Sequence, residues 1–186
     1  MKAIALVLLA TTQILTSSFG QKYFTRIGKI NFDATSSSSP EKVEGVNRTI
    51  TCVWDSKTGN IQFAVLMKGF EFERALMQEH FNENYVESDK YPKAEFKGTI
   101  DNSDKVNCAM DREYPVTVKG KLSMHGESRD IETQGKLVIQ KGKVNVIAEF
   151  NVLLADYKIS IPGLVADKVS KTAKIIVACT LEPFKG

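Results

Sequence analysis

VTVKGKLSMHGESRDIETQGKLVIQKGKVNVIAEFNVLL, residues 116–154, carries the clearest pattern in this chain of 186 residues. Apolar and polar side chains alternate along three successive segments, and short turns separate them, one of which is Lys141-Gly142-Lys143. In the third segment, Val144, Val146 and Phe150 share one face. A two-residue alternation gives a strand one buried face and one wet face, which is typical of antiparallel sheets. The stretch therefore predicts three consecutive antiparallel strands.

The same alternation extends outward on both sides of this stretch. It recurs upstream at 94–100 and downstream at 171–182, and the segments 23–34, 43–55 and 61–70 also have strand character. The fold class is therefore all-β, with about eight strands in up-and-down order. Such strands can form a sandwich or close into a barrel, and an eight-stranded barrel is just wide enough for side chains or one small ligand.

The predicted inward face mixes glycines with large apolar residues. The glycines, one per strand, are Gly69, Gly98, Gly120 and Gly135. They either let the strands bend at barrel corners or leave a lumen, and the two interpretations are compatible. The large residues are Phe63, Met67, Phe96 and Phe150. Together they predict an elongated apolar cavity that suits an alkyl or isoprenoid chain.

One segment, within residues 70–100, follows helical periodicity. Its apolar residues recur at three- and four-residue spacings until Tyr91-Pro92, and they are Phe72, Leu76, Met77, Phe81 and Tyr85. We expect one amphipathic helix between the third and fourth strands, covering an open edge or the barrel mouth, with this face towards a ligand. His80 and Asn84 fall inside the apolar arc. His80 either bonds to a strand end or loop, or meets the polar head of a bound lipid at the mouth.

The first twenty residues have the features of an export signal. Lys2 precedes the apolar run Ala3 to Ala10, and small residues including Ser18 and Gly20 follow. We predict a signal peptide over 1–20, cleaved near Gln21, and a single domain over 21–186 in the periplasm or secreted. The apolar run is too short to span a membrane, and no later segment is long enough.

Composition and motifs argue against several functional classes. The net charge of +3 is mild and dispersed, which disfavours nucleic-acid binding. Neither histidine, His80 nor His125, has a partner at a metal-ligand spacing, and no nucleophile-elbow, Walker or dinucleotide motif occurs. His125 lies beside Gly126 and is expected to be a turn residue rather than a ligand. Cys52 and Cys179 lie on predicted strands and are expected to be buried small hydrophobes. We therefore predict no enzyme, no metal site and no covalent cofactor.

Two separated motifs resemble the YceI-like family of exported lipid-binding proteins. They are MQEHFNENYVESDKYPKAEFKGTI at 77–100 and VKGKLSMHGESRDI at 118–131. The tail DYKISIPGLVADKVSKTAKIIV at 156–177 is similar to part of that family. The resemblance implies a lipocalin-like antiparallel barrel with a hydrophobic tunnel that binds a polyisoprenoid, such as an isoprenoid quinone or a polyprenyl phosphate, in the periplasm. This chain departs from the family pattern at Asn84-Tyr85-Val86 and in its first strand.

Three functions remain open at this point. The first is a carrier of an apolar, isoprenoid lipid, with the helix and the loop near Ile161-Pro162-Gly163 shaping the entrance. The second is a side-chain-filled barrel that acts as an interaction or stress-response module. A dry lumen of several hundred cubic ångströms would favour the carrier. The third is a metal or redox accessory that uses His80, His125 or the thiols. Homodimer formation is left open.

Overall fold

A computed structural model describes residues 21–184, so the predicted signal peptide, residues 1–20, lies outside the described residues. Within them the chain is mostly strand. The strands are β1 Lys22–Thr35, β2 Glu44–Asp55, β3 Asn60–Leu66, β4 Phe70–Phe72, β5 Lys93–Ile100, β6 Arg112–Met124, β7 Glu127–Gln140, β8 Lys143–Leu153 and β9 Val169–Pro183. One α-helix, α1, spans Ala75–His80 and continues as a π-helical turn over Phe81–Tyr85.

Eight of these strands form a closed antiparallel ring. The order around it is β1-β9-β8-β7-β6-β5-β3-β2, and β1 closes the ring by pairing with both β2 and β9. The three-residue β4 adds to the outer part of β2, where Gly45 pairs with Phe72. Alternation alone left a sandwich and a barrel open, whereas the family resemblance implied a barrel, and the structure confirms the barrel with about eight strands.

Two of the hairpins turn through pairs of residues with positive φ. Lys141 and Gly142 join β7 to β8 with φ of 50° and 75°, and His125 and Gly126 join β6 to β7 with φ of 52° and 76°. Two positive φ angles in succession match the right-handed twist of the flanking strands in a two-residue hairpin. The sequence correctly predicted His125 as a turn residue.

One interpretation of the inward glycines was that their missing side chains leave a lumen. At Gly98 and Gly120 the structure shows no such open space. Gly98 pairs with Gly120 across β5 and β6, and the Phe96 ring lies over both. A Cβ at Gly98 would lie 2.3 Å from the Lys119 carbonyl oxygen, and one at Gly120 would lie 2.5 Å from the Lys97 carbonyl oxygen. These glycines therefore permit a close approach of two strands beneath an aromatic ring.

The third predicted strand, 61–70, is interrupted at Leu66 by a 3₁₀ turn over Met67–Gly69. Buried Asn47 of β2 causes the break, because its side-chain amide donates to the Leu66 carbonyl at 2.9 Å. Its Oδ1 accepts from the backbone N–H of Thr49 at 2.9 Å. The chain then returns to β2 as β4, a contact that periodicity could not reveal.

One end of the barrel is solid. Trp54 is fully buried there, and its ring lies 5.5 Å from that of Tyr23. The inward side chains around this end are also buried: Leu137, Ile139, Val144 and Leu181. We call it the packed end. The opposite end, where α1 and the 154–168 segment lie, is called the capped end. Any ligand space must therefore lie towards the capped end.

Candidate functional site

An apolar cavity of about 160 Å³ occupies the barrel between its middle and the capped end. Its wall is built from β1, β3 to β9, the helical insert and the segment after β8. Nearly all of the wall is aliphatic or aromatic, the exceptions being Glu95, Thr133 and the phenol of Tyr85. Glu95 forms an ion pair with Lys97 at 3.5 Å. A ligand in this space would be held by burial of apolar surface rather than by polar contacts.

The size of the cavity is intermediate between a packed core and a typical ligand site. Ligand pockets commonly measure roughly 300–1,000 Å³, whereas an apolar cavity of about 150 Å³ can stay dry and accept benzene. Three flexible methionines, Met67, Met77 and Met124, contribute to the wall. Since methionine adapts its shape more readily than branched residues, this lumen can widen around a guest.

Seven of the ten residues expected to bind a ligand line the cavity: Phe63, Met67, Met77, Phe81, Tyr85, Phe96 and Phe150. The other three do not. Phe72 belongs to β4 and lies half-buried against Phe81, with ring centroids 4.9 Å apart. Leu76 is 61% exposed, and His80 and Asn84 are also exposed. The expected helix face was therefore wrong in part, because α1 begins only at Ala75 and the π turn shifts the residues after His80.

The capped end is closed by an aromatic cluster. The Phe81 ring lies 5.6 Å from that of Phe32, 5.4 Å from that of Phe70 and 4.9 Å from that of Phe72, measured between centroids. The sequence singled out Phe81 but not Phe32 or Phe70. Phe32 could have been found from its phase, since it alternates with Ile30 and Ala34 along β1. Phe70 could not, because it follows the break in the third strand.

The segment after β8 completes the cap. A 3₁₀ turn spans Leu154–Tyr157, and Leu154, Tyr157 and Ile159 are all buried. Leu154 and Ile159 line the cavity. Beyond them Ile161 is partly buried, and Leu164 is 94% exposed. This segment therefore covers the barrel, as the sequence suggested, although the apolar tip of its loop faces solvent.

His125 ties the two halves of the cap together, a role that the sequence did not reveal. One ring nitrogen, Nδ1, lies 2.7 Å from the Tyr157 carbonyl oxygen, and the other, Nε2, lies 2.8 Å from a Glu87 carboxylate oxygen. The Tyr91 ring stands edge-on to the imidazole at 4.6 Å. A carbonyl and an ionised carboxylate both accept hydrogen bonds, so the ring satisfies both when each of its nitrogens carries a proton. We call these four residues the His125 cluster.

Two of the three cysteines belong to the packed interior of the barrel. Cys52 and Cys179 are buried, as predicted, and all three cysteines are free thiols. Burial raises the pKa of the Cys179 thiol to about 12 and that of Cys52 well above its usual range. Within residues 21–184, no three His, Cys, Asp or Glu side chains are grouped closely enough to hold a metal ion. In the same range, no helix is long and apolar enough to cross a membrane.

Comparison with known proteins agrees with this architecture. The model of the YceI-like domain matches residues 25–181. A search of curated proteins gives no significant match. Among solved structures, a polyisoprenoid-binding domain from Saccharophagus degradans, implicated in plant cell wall breakdown, superposes with a TM-score of 0.77 at 15% identity, covering 89% of this chain and 100% of that one.

Two further structures share the fold. Burkholderia cenocepacia BcnA is 12% identical with a TM-score of 0.66, covering 83% of this chain and 95% of its own. The Campylobacter jejuni YCEI protein is 14% identical with a TM-score of 0.59, covering 80% and 88%. At these identities the likeness establishes the fold and says nothing specific about the ligand.

Proposed function

The chain belongs to the YceI-like family, and on that premise we propose that it binds and carries an apolar lipid inside its barrel without catalysing a reaction. The observation that carries this proposal is the cavity, which has an almost wholly apolar wall and lies beneath a cap made of a helix and a loop. Moving an apolar chain from water into such a space lowers the free energy by roughly 25 cal/mol per Å² of buried surface.

The lipid is proposed to be a polyisoprenoid, such as an isoprenoid quinone or a polyprenyl phosphate. Support comes from the similar Saccharophagus degradans domain, which is described as polyisoprenoid-binding. The methyl-branched chain of an isoprenoid also suits a wall that mixes aromatic rings with methionines. The cavity is formed by one chain, so a homodimer is not needed for binding.

The setting is proposed to be the periplasm or the extracellular space. The support is the leader-like sequence of residues 1–20. Free thiols at Cys52, Cys108 and Cys179 do not conflict with export, because two are buried and one is half-buried.

Mass spectrometry of lipids extracted from the purified mature protein tests the proposal. We expect an isoprenoid to co-purify, and the delipidated protein to take it up again with a rise in melting temperature. The second candidate function is the packed interaction module, which the modest cavity volume favours. An empty barrel whose melting temperature does not respond to isoprenoids would favour that module and reject the carrier.

A further inference from the structure

The strands β7 and β8 part from each other halfway along the barrel. Their shared ladder runs only from Gln140↔Lys143 to Gly135↔Ala148. Beyond it, β7 continues to Glu127 while bonded to β6, and β8 continues to Leu153 while bonded to β9. Within the described residues no backbone pairing joins 127–134 to 149–153. We call this gap in the wall the seam.

Three side-chain contacts bridge the seam at its two ends. Next to the last paired residues, the Thr133 hydroxyl donates to the Glu149 carbonyl at 3.1 Å. At the capped end, His125 bonds to the Tyr157 carbonyl at 2.7 Å. Beside it, the ammonium of Lys158 lies 2.5 Å from the Glu127 carboxylate. The seam is therefore a bounded opening that is held by polar contacts rather than by a strand ladder.

Beyond the end of the ladder some inward side chains become more exposed, although Val152 stays buried at 4%. In the paired part, Leu137, Ile139, Val144 and Val146 are at most 4% exposed. Along the seam, Ile131 and Phe150 also line the cavity, yet both are only partly buried. Solvent therefore reaches inward side chains at the side of the barrel.

Entry of a ligand along the barrel axis, through the capped end, is obstructed by comparison. Five side chains of the cap are buried there: Phe81, Val86, Leu154, Tyr157 and Ile159. A ligand that entered along the barrel axis would have to expose these apolar groups to water. A ligand that entered at the seam would disturb only a few hydrogen bonds and the partly exposed Lys158–Glu127 ion pair, and no buried apolar cluster.

We propose that the seam between β7 and β8 is the portal through which the lipid chain enters and leaves the barrel. The portal opens when the Thr133 bond and the His125 cluster release the two strands. The inference rests on the proposed function, because it concerns the route to the same cavity. A portal at the side of the barrel also explains how an apolar lumen accommodates a lipid with a polar head. Because no strand ladder crosses the seam, its backbone polar groups can face water, and a polar head placed there can stay hydrated while the chain is buried.

Linking the two edges of the seam chemically tests the portal. Glu132 and Asn151 are exposed and come next to each other when the β7–β8 register is continued beyond its last pair. The double variant E132C/N151C, made on a C108S background and joined by a short bismaleimide, would hold the strands together without filling the lumen. The probe is a polyprenol that carries a nitrobenzoxadiazole fluorophore, offered from phosphatidylcholine vesicles. We expect at least a tenfold fall in its uptake and release rates, with an unchanged Kd.

Two control links make the result specific. Q140C/K143C joins positions that are already paired in the ladder, and we expect no change in rate. E41C/R74C replaces the ion pair that holds the start of α1 to the segment before β2 and pins the axial cap. The portal proposal would be overturned if the seam-linked protein took up and released the probe at normal rates, or if only the cap-linked protein exchanged it slowly.

A complementary variant needs no crosslink. Thr133→Val keeps the shape of the side chain but removes its bond across the seam, and we expect it to speed exchange. Slower or unchanged exchange would count against the portal. If the unlinked parent protein bound no probe at all, the proposed function itself would fail. If it bound the probe normally and linking the seam changed no rate, only the portal would fail.

Discussion

Gly98 and Gly120 show how a single missing side chain shapes the barrel wall. Because both lack a Cβ, β5 and β6 can pass beneath the Phe96 ring with their backbones in close contact. Their place on the inward face was evident from alternation. Their purpose was not, because the ring that fills the space belongs to Phe96, two residues away on the same strand.

Gly98→Ala tests this close approach. The new methyl group would overlap the Lys119 carbonyl, which is backbone and cannot move aside cheaply. We expect the free energy of unfolding, measured by urea denaturation, to fall by about 1–3 kcal/mol. Gly163→Ala is the control, since a Cβ there meets no atom within 4 Å. Equal stability of the two variants would show that the strands can separate without cost.

The contacts of the His125 cluster could not be predicted from single positions in the sequence. His125 was correctly predicted as a turn residue from its place beside Gly126. Its partners lie on two other segments, Glu87 after the π turn and Tyr157 after β8. No local pattern links these three positions, so the contact emerged only once the barrel brought the segments together.

At the scale of elements, the strands were predicted better than the helical insert. Alternation and strand character depend on neighbours along the chain, and together they located the strands of the ring to within about four residues at each end. The insert was predicted to present Phe72, Leu76 and Phe81 on one helix face. In the structure Phe72 is held as a strand by β2, and α1 has only six residues before the π turn. Both departures arise from tertiary contacts that override local periodicity.

Phe81→Ala and Leu76→Ala separate the buried side of the insert from its exposed side. Phe81 is 5% exposed within the aromatic cluster, so its loss should lower the free energy of unfolding by about 3–5 kcal/mol. Leu76 faces solvent, and its replacement should change that energy by less than about 0.5 kcal/mol. Urea denaturation of both variants checks this. A large effect of Leu76→Ala would mean that the helix packs on its other face.

At the scale of the whole molecule, the ring has a packed end and a half that holds the cavity. Alternation predicted the inward faces, and the resemblance of the 77–100 and 118–131 motifs predicted the barrel. The position of the cavity could not be foreseen, because inward residues at both ends are equally apolar. Trp54 fills one end, whereas Ala94, Ala148 and Ala173 contribute little volume in the other.

Ala148→Phe tests whether the lumen binds the lipid. Ala148 lines the cavity, so a ring at this position would occupy the space proposed for the chain. We expect affinity for the fluorescent polyprenol to fall at least tenfold while the barrel stays folded, as judged by circular dichroism. Ala178→Phe is the matched control, since Ala178 is exposed on the neighbouring β9. If the larger ring prevents folding, Ala148→Leu gives the same test with less volume. Unimpaired binding by a folded Ala148 variant would place the lipid elsewhere.

The closure of the ring by β1 and β9 also governs how the chain can fold. Phe24 pairs with Glu182, and Lys29 pairs with Ala178, so the last ladder joins residues from opposite ends of the described chain. Contacts so distant along the sequence carry a large loop-closure cost and form slowly. Until β9 arrives, the outer edges of β1 and β8 lack their partner, and unpaired edges invite association with other chains. A growing or unfolded chain is therefore exposed to aggregation until its final strand is in place.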